Sequence, residues 1–435
     1  VLNKSTDYVG RCKRNHRALR KFCGRKSIGL KQADIIIIGG GAAGFFTAIN
    51  TAEKNPKLKI IILERGKEVL TKVKVSGGGR CNVTHAEFLP KELTQNYPRG
   101  EKELLGPFHT FMTGDTIEWF EKRGVELKIE EDGRMFPVSD SSQTIINCFL
   151  FEAKKFGIDI LLNQSVKKIQ KEADHFIINT TTDTFSSEKI VVATGSNPKI
   201  WQLLEGLGHT IVPAVPSLFT FNIKDQRIAE LPGISTSANV KILLPAGVPP
   251  LGVRGLPLLI THWGMSGPAI LKLSAWGARL LEPLKYHFNI EVNWLNNLSE
   301  EEVLDSLKEM KNIQGKQTIY KYAQFDLPKR LWQSLVKASG IAETLTWADA
   351  TRENFQNIAN QLTAGIFEVN GKSTFKEEFV TAGGVDLKEV NFKTFESRIC
   401  KNLYFAGEVL NIDAITGGFN FQNAWTGGYI VSQNL

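Results

Sequence analysis

The stretch Asp34-Ile-Ile-Ile-Ile-Gly-Gly-Gly-Ala-Ala-Gly44 constrains the fold more than any other part of this chain. Residues 35–38 form an uninterrupted β-branched run, the composition of a strand buried on both faces. Gly39, Gly41 and Gly44 follow with G-x-G-x-x-G spacing. The first glycine permits a tight turn, the second lets backbone approach a pyrophosphate, and the third lets a helix starting near Ala42 and Ala43 pack on the strand. The N-terminus of that helix then presents free N–H groups and a positive dipole end.

Context sharpens this reading. Lys59-Ile-Ile-Ile-Leu-Glu64 is a second apolar strand ending in an acid twenty residues beyond Gly44, where a ribose hydroxyl needs an acceptor and a 2′-phosphate would be repelled. Strand, turn, helix, strand and acid in that order describe a dinucleotide clamp. Residues 76–82, Ser76-Gly-Gly-Gly-Arg-Cys-Asn82, form a second glycine cluster flanked by Lys72 and Lys74, a loop able to wrap a flat ligand. Residues 189–195 read as another buried strand stopping on a glycine, and residues 403–408 as one ending in Gly407 and Glu408. Gly417 and Gly418 then open a last helix whose backbone N–H groups can face a developing negative charge.

Helical spacing over residues 115–123 and 141–155, with strands over 158–162, 166–169 and 176–178, completes a parallel α/β layer carrying a small β-meander. From about 205 to 362 the composition shifts to clustered prolines and short strands, and residues 299–342 turn charged and helical. Ser299 with Glu302 forms a capping box, and Pro328 begins a helix containing Leu331, Leu335 and Val336.

The formal charge of +8 sits at one end, because residues 1–33 hold ten Lys or Arg against the single acid Asp7, leaving the rest close to neutral. That segment reads as a disordered tail, a transit segment or an overextended gene start, and the near-neutral remainder argues against nucleic-acid binding. The five cysteines, Cys12, Cys23, Cys81, Cys148 and Cys400, are odd in number and lack any C-x-x-C or C-x-x-x-x-C pair. A reducing cytoplasm fits them, a disulfide-relay reductase does not, and the seven histidines form no metal-ligand cluster. No apolar run approaches the length of a membrane span.

Six motifs in order carry a family resemblance: Ile38-Gly-Gly-Gly-Ala-Ala-Gly44, Ser76-Gly-Gly-Gly-Arg-Cys-Asn82, Gly133-Arg-Met-Phe-Pro-Val-Ser139, Thr261-His-Trp-Gly-Met-Ser-Gly-Pro268, Val380-Thr-Ala-Gly-Gly-Val385 and Phe405-Ala-Gly-Glu408. From Asp34 to its end the chain resembles the bacterial FAD-dependent oxidoreductases of the aminoacetone oxidase and 3-dehydro-bile-acid reductase family. The resemblance implies an α/β, glutathione-reductase-like Rossmann domain for FAD over residues 34–204 and 363–435, an inserted β-rich domain over 205–298 and 343–362, and a helical cap over 299–342. It also implies FAD lying extended, with Gly39, Gly41, Ala42, Ala43 and Gly44 at the pyrophosphate, Glu64 and Arg65 at the adenosine ribose, and Val166 at the adenine. Ser76, Gly77, Gly78, Gly79, Arg80, Cys81 and Asn82, with Gly417, Gly418, Phe419 and Asn420, would hold the flavin end. Ala193, Thr194 and Gly195 would line the cofactor, and Gly407 and Glu408 the ribitol chain. Phe419 stands where the family often has tyrosine and Ala414 where it often has an acidic or small residue.

The expected activity is flavin-mediated hydride transfer to or from a small organic or flat polycyclic substrate, with His262 as the candidate proton donor or substrate anchor. Electrons arrive either from NAD(P)H docking transiently or from an oxidisable substrate with oxygen as acceptor. Two other readings stand beside it: an FAD-dependent RNA-modifying or RNA-binding protein, suggested by the basic arm, and a flavin-fold scaffold without catalysis.

Overall fold

The structure, a computed structural model, describes residues 30–245, 247–296, 298–373 and 380–435. Readings of the basic arm, including Cys12 and Cys23, fall on residues 1–29, outside the described residues. Strand β1 (Leu30–Ile38) is exposed over its first half and buried over Ile35, Ile36, Ile37 and Ile38, as an all-β-branched run requires. It pairs in parallel with β2 (Ile60–Leu63) on one side, Ile36 opposite Ile61, and with strand Thr184–Val192 on the other, Ile36 opposite Ile190. Strands Asp159–Leu161 and Leu403–Phe405 extend this parallel sheet at its two sides. An antiparallel meander, Val166–Glu172 and His175–Thr180, folds back onto Thr184–Val192. This is the expected α/β Rossmann-like layer.

Helix α1 (Ala42–Lys54) follows β1 and packs beside the C-terminal helix Phe419–Gln433, with Phe46 and Trp425 meeting at 5.2 Å between ring centroids. The last helix of the chain therefore closes over the first. The sequence's helical spacing over 141–155 appears as Ser142–Lys155, begun by the Ser141 hydroxyl accepting from Gln143 N–H. The spacing over 115–123 appears two residues earlier, as Thr113–Glu121, because the Asp115 carboxylate accepts from the Met112 N–H and so caps the helix before it.

A second, seven-stranded sheet runs in the order Gly365–Asn370, His287–Asn293, Ser235–Leu243, Leu251–Thr261, Gly264–Ser266, Thr220–Asn222, Lys372–Ser373. It has its own core, separate from the one around β1. The chain's return to the first sheet thus comes later than residue 363. Gly365–Asn370 alternates buried and exposed residues and pairs with His287–Asn293, so it belongs to the second sheet. Residues 352–363 are helical and pack on Glu300–Ile313. That helix begins with the expected capping box: Ser299 Oγ accepts from Glu302 N–H while the Glu302 carboxylate accepts from Ser299 N–H. The helix expected after Pro328 spans Lys329–Ala338 and buries Leu331, Leu335 and Val336. Strands Ile211–Ser217 and Val380–Val385, antiparallel to one another, carry the chain between the two units. No helix among the described residues is long and apolar enough to cross a membrane.

Candidate functional site

The three glycines after β1 behave differently, and the difference defines the site. A Cβ on Gly39 would lie 2.4 Å from the Ala193 carbonyl oxygen, and one on Gly44 would lie 2.0 Å from the Gly39 carbonyl oxygen. Both are close approaches of backbone to backbone, one between adjacent strands and one between α1 and the turn. A Cβ on Gly41 would meet nothing within 4 Å. Gly41 is the residue just before α1, so the open space lies at the helix N-terminus, where the first N–H groups have no intrahelical acceptor.

Glu64, at the end of β2, ties this turn down. Its carboxylate accepts from Gly40 N–H at 2.9 Å and from Gly66 N–H at 2.7 Å. The acid expected at a ribose is thus already fixed in orientation by two backbone donors and keeps lone pairs for a third.

The open space belongs to a cavity of about 680 Å³. Gly39, Gly41, Ala42, Ala43, Glu64 and Arg65 line it from the first glycine turn and β2, and Ala193, Thr194 and Gly195 from the end of Thr184–Val192. Ser76, Gly77, Gly78 and Asn82 come from the second glycine cluster, Gly407 and Glu408 from the loop after Leu403–Phe405, and Gly417, Gly418 and Asn420 from the turn before the last helix. Seven candidates are not among its lining residues: Gly44, Gly79, Arg80, Cys81, Val166, Phe419 and His262. Each has another surrounding. The Arg80 guanidinium lies 3.9 Å from the Phe136 ring centroid and bonds Glu130 at 2.5 Å, so it fastens the glycine cluster to hairpin 127–137. Cys81 is fully buried at φ +63, and burial, opposed by Ser76, pushes its thiol up to about 12, which keeps it protonated and unreactive. Val166 is buried in the meander. Phe419 packs its ring on His85 at 4.5 Å, and its carbonyl accepts from the Tyr97 hydroxyl at 2.6 Å. His262 occupies the exposed turn between strands Leu251–Thr261 and Gly264–Ser266, beside the exposed Trp263.

Two lining residues hold the site's own frame. The Asn420 amide donates to the Ala414 carbonyl and accepts from the Ala414 N–H, which closes the 414–420 turn. Glu408 pairs with Lys72 at 2.7 Å across the cavity. Beneath the turn, His85 Nδ1 lies 3.1 Å from the Gly417 carbonyl oxygen, and burial lowers this imidazole's pKa against the opposing pull of that bond. His85 therefore stays neutral and donates from Nδ1, orienting the Gly417 peptide. Asn82 offers the opposite case: its Oδ1 is buried among these elements and has no hydrogen-bond partner. A buried acceptor left unpaired points to a donor that arrives with a ligand.

Sequence reading missed Arg134, Leu218, Leu271, Val380, Ile415 and Phe421, which also line the cavity. It also missed a buried cluster beside it, in which Arg99 pairs with the fully buried Asp413 while the Ser217 hydroxyl donates to Asp413 at 2.7 Å. Burial pushes the Asp413 carboxyl up, and Arg99 and Ser217 pull it back. Asp413 directly precedes Ala414, a position the sequence singles out, but nothing local points to Arg99.

Residues 33–434 match the family described as HI0933-like protein Rossmann domain. The chain belongs to the HI0933-like family. It is 30% identical over 92% of its length to a ribosomal RNA dihydrouridine synthase of Haemophilus influenzae, covering 98% of that protein. It is 28% identical over 93% of its length to the ribosomal RNA dihydrouridine synthase of Escherichia coli, covering 98% of it. It is also 26% identical over 91% of its length to a 3-dehydro-bile acid delta(4,6)-reductase of Clostridium scindens, covering 97% of that protein. HI0933-like membership agrees with the family expected from the six motifs, and the Rossmann nucleotide-binding fold and flavoprotein oxidoreductase class expected with it stand.

Proposed function

We propose that this protein holds FAD extended along the 680 Å³ cavity and reduces a carbon–carbon double bond conjugated to a carbonyl in a flat ring, with a reduced nicotinamide as electron donor. The observation that carries the cofactor assignment is the open space at Gly41. It lies at a helix N-terminus, between two glycines whose own contacts are sealed, and opens into a cavity that Asn82, with its buried and unpaired Oδ1, helps to line. These features fit a dinucleotide whose pyrophosphate needs N–H donors and whose ring needs an acceptor for its own N–H.

When bound, FAD supplies hydride chemistry. The protein's share is to bind and orient. The α1 N-terminus, at Ala42 and Ala43, would face the pyrophosphate, Glu64 a ribose, and Glu408 or its partner Lys72 the polar linker. Ser76, Gly77, Gly78 and Asn82 would meet Gly417 and Gly418 around the ring, and the Gly417 peptide, oriented by His85, would offer its donors there. Leu218, Leu271 and Val380 would exclude water from the opposite wall.

The reaction type is supported by the relatives' names taken together. Dihydrouridine differs from uridine by two hydrogens across a ring double bond conjugated to a carbonyl, and a delta(4,6)-reductase of a 3-dehydro-bile acid also saturates ring double bonds conjugated to a carbonyl. Both need two electrons from outside, which favours NAD(P)H over an oxidase reaction. The RNA reading rests on the two dihydrouridine synthases, of which one reaches 30% identity.

The test is the visible spectrum of purified protein, followed anaerobically with NADH and then NADPH, with addition of a uridine-containing ribosomal RNA fragment or 4-androstene-3,17-dione as acceptor. The expected result is a bound flavin that bleaches with one nucleotide and recovers with one acceptor. Colourless protein that takes up no FAD would refute the cofactor assignment, and a flavin that stays oxidised with both nucleotides would refute the reductase assignment.

A further inference from the structure

We propose that Leu218 is a substrate-contacting, specificity-determining residue, and that the buried cluster of Arg99, Asp413 and Ser217 is the device that positions it; this rests on the reading of the cavity given above. Leu218 has φ +55, a left-handed conformation that costs an L residue with a branched side chain. Among the described non-glycine residues with positive φ, it and Leu70 are the ones that line the cavity. Such a conformation persists only where the surroundings over-determine it.

Here the surroundings are visible on both sides of the residue. On the N-terminal side, Ser217 is fully buried, donates to Asp413 Oδ2 at 2.7 Å and accepts from Arg99 Nη2 at 3.3 Å. On the C-terminal side, the Phe219 N–H donates to Ser274 Oγ at 2.9 Å. The same Arg99 donates to the Ala275 carbonyl at 2.7 Å, one residue from Ser274 on helix Pro268–Leu281. That helix also carries Leu271, and Ser217 pairs in register with Val380. Asp413 itself lies two residues before Ile415, another lining residue. One buried ion pair therefore joins the three elements that bring Leu218, Leu271 and Val380 to the cavity.

That wall is aliphatic. Leu218 follows strand Ile211–Ser217, Val380 opens the strand paired with it and Leu271 comes from helix Pro268–Leu281, while the glycine turns, Glu64, Glu408 and Lys72 line the cavity from the first unit together with Leu70 and Ile415. An aliphatic wall beside a dinucleotide cavity fits the face of a flat ring, and Leu218, half-buried and held against its backbone preference, is the part of the wall most dependent on its supports.

The experiment uses the FAD-saturated full chain, with uridine, cyclohex-2-enone and 4-androstene-3,17-dione as probes, each titrated while the flavin absorption is followed, and with FAD affinity measured separately by fluorescence. For any probe the wild type binds, Leu218→Gly, which suits the backbone conformation, is expected to weaken binding about tenfold with FAD affinity unchanged. Ser217→Ala should weaken the same probe by a smaller factor, Ser217→Thr should restore it, and Ser217→Ala should add nothing in the Leu218→Gly background. Unchanged probe binding in Leu218→Gly overturns the contact. Additive effects of the two substitutions overturn the positioning role. If no probe perturbs the wild-type flavin, the substrate class proposed for the site falls and this inference with it, whereas absence of any bound flavin refutes the cofactor assignment alone.

Discussion

Gly41→Ala separates folding from cofactor binding, because Gly41 is the one glycine of the turn that has room. Its φ of −95° and ψ of −168° are extended backbone open to alanine, and the added Cβ meets no atom within 4 Å. The unliganded protein should therefore keep its stability, or gain about 0.4–1 kcal/mol from the lower entropy of the unfolded chain. FAD should not tolerate the change. A methyl at the helix N-terminus holds the pyrophosphate off the first N–H groups, and losing two charge-assisted bonds of about 1.5 kcal/mol each weakens binding by roughly a hundredfold. Thermal or urea unfolding with and without FAD reads both effects. At an FAD concentration of about 100 times the wild-type dissociation constant, the cofactor stabilises the wild type by about 2.7 kcal/mol and the variant, now near half-saturation, by about 0.4 kcal/mol. Gly44→Ala is the contrasting case: its Cβ would sit 2.0 Å from the Gly39 carbonyl oxygen, so it should lose about 3 kcal/mol or more without any cofactor present. The reasoning is refuted if Gly41→Ala binds FAD as the wild type does, or if its unliganded form is as damaged as Gly44→Ala.

Arg99→Met leaves the Asp413 carboxylate fully buried without its cation, and urea unfolding should show a loss of about 3–5 kcal/mol; a loss below about 1 kcal/mol would mean the pair is not buried in solution. His209 lies buried between the Glu389 carboxylate and the Ser397 hydroxyl, each at 3.2 Å, and burial, opposed by Glu389, lowers its pKa from the ordinary 6.5. The unfolded chain therefore takes up a proton that the folded chain resists, so stability is fully present above about pH 6.5 and falls as the pH drops below it. For Glu389, burial would raise the carboxyl, but the bonds from Thr210 and His209 lower it from 4.5, so its own loss begins only at lower pH. His209→Asn, which keeps a donor toward Glu389, should be less acid-sensitive than the wild type in urea midpoints compared at pH 7.5 and 5.5, and equal slopes would remove His209 from the effect. Cys81, with its thiol near 12, and Cys148, buried with its thiol near 11, should stay unlabelled by iodoacetamide at pH 8 until the protein is unfolded; peptide mapping that finds Cys81 modified in the native protein would contradict its burial.

What the sequence made legible was local. The glycine turn, the acid ending β2 and the capping box of Ser299 and Glu302 each lie within a few residues or one strand–helix–strand unit, where spacing translates directly into geometry. The cavity also shows where local reading stops. The motif containing His262 was legible as a motif, but its histidine sits at the tip of a hairpin, and whether a hairpin tip faces a ligand depends on packing between units. Arg99 and Asp413 are 314 residues apart and carry no periodic or capping signal that would pair them. The sequence places the end of the second unit at residue 362, one residue before helix Arg352–Thr363 ends, yet Gly365–Asn370 still pairs with His287–Asn293. Strand partners more than seventy residues away have no local mark.

The same contrast governs how the site should be probed. Three stretches that line the cavity are glycine-rich turns or a helix start, the α1 N-terminus, the second glycine cluster and the Gly417 and Gly418 turn, and can offer only main-chain groups at their glycines. The side chains nearest those groups mostly serve the frame, as Asn420 does for Ala414, Arg80 for Glu130 and His85 for Gly417. Truncating such a side chain moves the frame and the ligand site together, so its effects on stability and on binding rise in parallel. Adding a methyl to a backbone that faces the cavity does the reverse where space allows. At Gly418 space does not allow it, since a Cβ would lie 2.5 Å from the Thr84 carbonyl oxygen, and the substitution again reports on folding. At Gly78, which lines the cavity and whose Cβ would meet nothing within 4 Å, the obstacle is φ +69 rather than contact. Gly41, with both space and an allowed conformation, is therefore the position from which the cofactor can be removed while the fold is kept.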